Sequence, residues 1–176
     1  KAIDGIRHIF PAFNFCDDTI SLAFSVDFGD IWLTKDIAQG VGNVGYHLCK
    51  LLHAAGAALL VADLDEARVD RACAEFAAGR VSSAAILHAD ADVLAPCALG
   101  SVLHEDSIPG IKARIVAGGA NNQLRAAEDG QRLADAGILY APDYVINAGG
   151  VISVTCEYLG DMDDAGVTAL VAQVGP

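Results

Sequence analysis

The chain has 176 residues, 53% of them apolar and 19% charged, which is enough for one buried core and unlike a disordered, collagen-like or repetitive chain. Eleven lysines and arginines stand against 23 aspartates and glutamates, so the net charge of −12 repels phosphate backbones and anionic lipid heads. Neither nucleic acid nor a membrane surface is expected as a partner, and apolar runs such as 54–61, interrupted by Gly56, fall far short of the roughly 18–20 residues of a membrane span.

The start is charged at Lys1, Asp4 and Arg7 and has no sustained apolar stretch before a small-residue cleavage site, so a cytoplasmic protein is expected. The cysteines (Cys16, Cys49, Cys73, Cys97, Cys156) are odd in number and never form a C-x-x-C pair. They read as reduced, mostly buried thiols, with no metal site. Residues 1–36 are set apart by their aromatics: Phe10, Phe13, Phe15, Phe24, Phe28 and Trp32 are six of the chain's eleven. Such a segment is costly to leave exposed, and it is expected to form an arm or added strands that pack on the domain or pair two copies into a homodimer.

From Ile37 the composition shifts to Ala, Gly, Val and Leu, with short apolar runs alternating with helical periodicity, the signature of successive β-α units. Trp32 to Gln39 reads as a strand, although Lys35 and Asp36 within it argue that it is short or lies at a sheet edge. Asn43 to Ala55 reads as a helix with Val44, Leu48, Leu51 and Leu52 on one face, closed by Gly56. A strand follows at Ala58 to Ala62 and a helix at Asp65 to Ala78, with Asp65 as its cap. Next come strands at Ala91 to Ala95 and Ala113 to Ala117, a helix at Ala126 to Ala136 and a strand at Ile138 to Tyr140. A last helix starts near Gly150 and runs toward Tyr158. The expected fold is α/β, a doubly wound, mostly parallel sheet with helices on both faces. Residues 1–36 stand as a divergent start, 37–160 as the α/β domain and 161–176 as a terminal helix or tail.

Between the first strand and first helix stands Gly40-Val41-Gly42-Asn43-Val44-Gly45, a G-x-G-x-x-G in the context that motif requires. Gly40 permits a tight turn, Gly42 lets backbone approach a pyrophosphate, and Gly45 lets helix and strand pack closely. The helix start offers free N–H groups and a positive dipole end. Asp63, 21 residues after Gly42 and at the end of the second strand, is placed to accept from the adenosine ribose hydroxyls. Its charge favours NAD over NADP, and Asp65, besides its reading as a cap, is the alternative acid.

The segments QGVGNVGYHLC (39–49), APCALG (95–100), IVAGGANNQL (115–124) and GILYAPDYVINAGGVI (137–152) resemble, in order, the cofactor domain of leucine, phenylalanine and valine dehydrogenases. The resemblance covers 37–159. It implies a Rossmann domain that binds NAD and serves hydride transfer from the α-carbon of a small apolar L-amino acid, giving a 2-oxo acid and ammonium. By the same resemblance, Gly40, Gly42, Asn43, Val44 and Gly45 hold the pyrophosphate, Asp63 the ribose, and Cys97, Ala98 and Leu99 line the groove. Asn121 and Asn122 lie near nicotinamide and substrate carboxylate, Asn147 faces the carboxamide, and Val151 meets the substrate side chain. Neutral amides suit that task because they donate and accept at any working pH, although Asn147 also reads as a cap of the last helix. No catalytic residue is found. Family members carry, in a separate substrate domain, a glycine-rich segment with a lysine, a second catalytic lysine and an aspartate. Lys1, Lys35, Lys50 and Lys112 match none of these. The expectation is therefore one lobe of a two-lobe enzyme, with the acid-base groups supplied from elsewhere, or a free-standing NAD-binding module or truncated remnant without turnover. A third reading, different chemistry through His8 or Asp17 and Asp18, rests on isolated residues.

Overall fold

The computed structural model describes residues 35–160 and 163–171. The expectations for the aromatic-rich start, including an arm or a dimer contact, lie outside the described residues. Those described fall into two units, one ending at Asp143 and one beginning at Tyr144.

The first unit is a sheet of six parallel strands: β1 Lys35–Gln39, β2 Ala58–Ala62, β3 Gly79–Arg80, β4 Val93–Pro96, β5 Ile115–Val116 and β6 Leu139–Tyr140, in the order β3-β2-β1-β4-β5-β6. The chain steps one way from β1 to β3 and the other way from β4 to β6. Right-handed crossovers then put the helices of the two halves on opposite faces, and the strand order is that of a dinucleotide-binding doubly wound fold.

β1 is not an edge strand. It lies between β2 and β4, paired from Lys35↔Ala58 to Gln39↔Ala62 on one side and from Asp36↔Val93 to Gln39↔Pro96 on the other. Asp36 is therefore 1% exposed, and neither carboxylate oxygen has a hydrogen-bond partner. Burial, and then the nearby Asp92 carboxylate, push its pKa up to about 7. A charged carboxylate would be costly at a central strand, whereas this side chain is held largely protonated below that value.

Helix α1 (Asn43–Ala54) buries Gly45, Leu48, Cys49 and Leu52. It ends where Gly56 was expected to stop it: the N–H groups of Gly56 and Ala57 close on the carbonyls of His53 and Leu52. Helix α2 (Glu66–Phe76) is capped by Asp65, which accepts from the Ala67 N–H at 3.0 Å. The two helices meet along Tyr46 and Phe76, with ring centroids 5.2 Å apart and the Arg71 guanidinium 3.9 Å above the Tyr46 ring. Arg80, on β3, reaches back to Glu66 and Asp70 of α2. Helix α3 (Glu128–Asp135) packs on β6, and its buried Asp129 accepts from the Ala126 N–H and pairs with Arg132 at 2.7 Å. Ile37, Ile86, Leu94, Leu103, Val116 and Leu133 form the centre of the core.

Helix α4 (Asp143–Ile146) follows β6 in the chain. In the second unit, α5 (Ala148–Leu159) and α6 (Asp164–Val171) pack through Cys156 and Val167, with Ile152 and Leu170 beside them. Among the described residues no helix is long and apolar enough to cross a membrane, and no cluster of three metal-binding side chains occurs.

Candidate dinucleotide site

The chain leaves β1 and β4 in divergent directions, and the crevice this opens at the strands' carboxyl ends is where open α/β sheets bind ligands. A cavity of about 400 Å³ lies there. Gln39, Gly40 and Gly42 of the first turn form one side, Ala62, Asp63, Leu64 and Arg68 a second, and Cys97, Ala98, Leu99 and Val102 the third, with Ser83 and Ile86 beyond.

Gly40 makes the closeness of β1 and β4 feasible. Its φ is +96°, and a Cβ there would stand 2.7 Å from that of Ala98. Its N–H donates to Ala62 (2.8 Å), while the Cys97 N–H donates to Gln39 (2.7 Å), so the three strand ends are tied together. Asp63 ties the turn from the side: Oδ2 accepts from the Val41 N–H at 2.8 Å and Oδ1 from the Asp65 N–H at 3.0 Å. The carboxylate is thus fixed by backbone donors at the cavity wall with lone pairs left for further donors. Gly42 is open on the cavity side, where only the Arg68 guanidinium comes near.

Six of the expected cofactor residues, Gly40, Gly42, Asp63, Cys97, Ala98 and Leu99, therefore converge on one cavity. Asn43, Val44 and Gly45 form the first turn of α1 without lining it. Leu64 and Leu99 are 89% and 84% exposed, two apolar side chains left in solvent at the cavity. Cys97 and Cys49 are unreactive by environment. Burial pushes Cys97 up to about 11 and Cys49 up to about 12, the latter also raised by Cys97.

Asn121 and Asn122 lie in the loop after β5, exposed and outside the cavity wall. The loop is locked by a residue that sequence reasoning missed. Gln123 is fully buried, and its Nε2 donates to the carbonyls of Gly118 (2.6 Å) and Ala120 (3.0 Å). Asn122 adopts φ +53°, and its N–H donates to Asp143. The loop also presses on its neighbour after β4: a Cβ on Gly100 would lie 2.4 Å from the Asn121 carbonyl oxygen, and one on Gly118 would lie 2.3 Å from that of Pro96. Gln123→Ala is expected to cost about 2–4 kcal/mol, from two buried carbonyls left unsatisfied and a cavity. An unchanged urea midpoint would exclude this role.

Asn147 and Val151 belong to the second unit, Asn147 immediately before α5 and Val151 on it, 70% exposed. Besides Gln123, sequence reasoning missed Leu64, Arg68, Ser83, Ile86 and Val102. Leu64 carried a signal in its place after Asp63. Ser83 and Ile86 follow β3, whose two residues show no period to read.

The sequence profile of the Glutamate/Leucine/Phenylalanine/Valine dehydrogenases matches residues 59–169. The chain belongs to this family. Leucine dehydrogenase of Bacillus cereus is 52% identical over 122 residues, 69% of this chain and 33% of that protein. Leucine dehydrogenase of Thermoactinomyces intermedius is 49% identical over 135 residues, 76% and 37% of the respective chains. The chain thus spans about a third of the length of these curated relatives. The crystal structure of L-tryptophan dehydrogenase from Nostoc punctiforme superposes with a TM-score of 0.76 at 42% identity, over 80% of this chain and 43% of that one. A hetero-hexameric glutamate dehydrogenase from Thermus thermophilus shares the fold, with a TM-score of 0.62 at 22% identity, over 80% and 38% of the respective chains.

Proposed function

We propose that this chain is the NAD-binding part of an amino-acid dehydrogenase whose substrate is a small apolar L-amino acid. The observation that carries the reading is the Gly40–Gly45 turn at the β1/β4 crevice, with Asp63 fixed beside it by two backbone donors. The leucine dehydrogenases at about half identity support the choice of chemistry.

The residues fit a dinucleotide. The open face of Gly42 and the α1 N-terminus suit the pyrophosphate. The Asp63 carboxylate suits the ribose hydroxyls and opposes a 2′-phosphate, while Leu64 and Leu99 offer apolar walls to the adenine. Bound there, NAD supplies the acceptor for the hydride that leaves the substrate α-carbon. In this reading Asn121 and Asn122 serve nicotinamide and substrate carboxylate by neutral hydrogen bonds, while for Asn147 at the carboxamide and Val151 at the substrate side chain the support is the family resemblance alone. Gln123 keeps the Asn121–Asn122 backbone in place. Cys97 packs rather than reacts. The net charge of −12 disfavours nucleic acid as the partner and leaves a small molecule, for which we propose the cytoplasm as the setting.

Calorimetric titration of the purified chain with NAD, with NADP as control, tests this reading. Saturable NAD binding with NADP at least about tenfold weaker is expected, from the charge of Asp63 against the extra phosphate. Absence of NAD binding sinks it.

A further inference from the structure

Arg68 stands out once the cavity is taken as a whole. It is the only cationic side chain among the described residues lining it. It sits in the first turn of α2, where its Nε pairs with Asp65 at 3.2 Å, and its side chain is 56% exposed. Its Nη1 lies 3.3 Å from the point a Cβ on Gly42 would occupy. The guanidinium therefore hangs over the one glycine of the turn whose cavity side is otherwise open.

A pyrophosphate brings two negative charges to a protein of net charge −12, beside Asp63 and Asp65. The α1 N-terminus offers only partial charge. A guanidinium bonded through Nε still presents Nη donors in the planar fork that suits phosphate oxygens. The ion pair with Asp65 is exposed and of i,i+3 type, so keeping or releasing it costs little.

We propose that Arg68 is a phosphate clamp, a cofactor-positioning residue whose guanidinium closes over Gly42 onto the pyrophosphate of the dinucleotide. This rests on the NAD-binding reading above. Nothing in the resemblance assigned a role to this position, and a charged side chain on a helix ordinarily reads as solvated.

The test compares the wild-type chain, Arg68→Ala and Arg68→Lys by calorimetry with NAD and NADP at low and high salt, and by displacement of NAD with adenosine, which has no phosphate. Arg68→Ala is expected to bind NAD about tenfold more weakly at low salt, with a shallower salt dependence and unchanged adenosine affinity. NADP should weaken in parallel, and Arg68→Lys should fall between. NAD affinity equal to wild type in Arg68→Ala overturns the clamp and leaves the NAD reading intact. Equal loss for adenosine, or loss confined to NADP, also overturns it by moving the contact to the nucleoside or the 2′-position. Failure of the wild type to bind NAD removes the clamp together with the reading beneath it. Thermal unfolding followed by circular dichroism should be unchanged by either substitution, as befits an exposed side chain.

Discussion

Asp36→Val is expected to make the protein more stable by about 4 kcal/mol above pH 7 and by much less near pH 4. Asp36 carries a pKa of about 7 in the folded chain against 3.8 when unfolded, because burial between β2 and β4 and then Asp92 oppose its charge. Between those values the folded state binds the extra proton, so stability falls as pH rises from about 4 to 7 and is flat above. A span of that width, at about 1.4 kcal/mol per unit, comes to roughly 4 kcal/mol. Asp92 adds to the penalty as a like charge, and the Arg114 guanidinium that pairs with it at 3.0 Å is 62% exposed, so solvent weakens its compensation. Asp36→Asn removes the titration but keeps a buried polar group, so it should abolish the pH slope while gaining less than valine. Urea unfolding of the three proteins from pH 4 to 9 reads this directly. A difference between variant and wild type that does not change with pH rejects the account.

Asp63→Ala is expected to weaken NAD binding by about 30- to 1,000-fold, the range given by losing two charge-assisted hydrogen bonds at roughly 1–2 kcal/mol each. It should also narrow the preference against NADP, because the repelling charge goes with the side chain. Some of the loss comes from the turn itself, since the N–H groups of Val41 and Asp65 lose their acceptor. Asp63→Asn separates the two effects. An amide oxygen can still accept one backbone bond, so the turn is largely kept while the charge is gone, and the NADP preference should shift with only part of the affinity lost. NAD affinity lost in Asp63→Ala but fully kept in Asp63→Asn, with the NADP preference unchanged, would show that the carboxylate serves turn geometry alone.

The contrast between those two aspartates shows what could be read before the structure. Asp63 was legible because its role follows from spacing: a carboxylate one strand and one helix beyond a glycine turn falls at the same crevice in any fold of this type. β2, α1 and α2 were legible for a similar reason, each carrying a full apolar period or a capping side chain. Asp36 was legible only as a conflict. A charge in a strand argues for an edge, and what overrides the argument is protonation, a property of the packed environment. Strand β3 has two residues, too few for any period, and is defined by its pairing with β2, whereas β5 and β6, just as short, lie inside the apolar runs read as strands at 113–117 and 138–140. Gln123 and Arg68 were not legible at all. One acts on carbonyls whose directions exist only in the folded loop, and the other lies within reach of Gly42 only after α2 has docked beside α1.

The interlocking of the loops after β4 and β5 has a bearing on how this fold tolerates change. Connections between strands are ordinarily where a domain accepts insertions, deletions and protease cuts. Here the Ser101 and Leu103 N–H groups donate to the carbonyls of Asn122 and Gln123, the Arg125 N–H returns to Leu103, and Gly100 and Gly118 leave no room for added atoms. The two segments behave as a short, unlabelled extension of the sheet. Sequence drift in one must be answered in the other, and length variation is pushed away from this rim to parts of the surface where the backbone has slack.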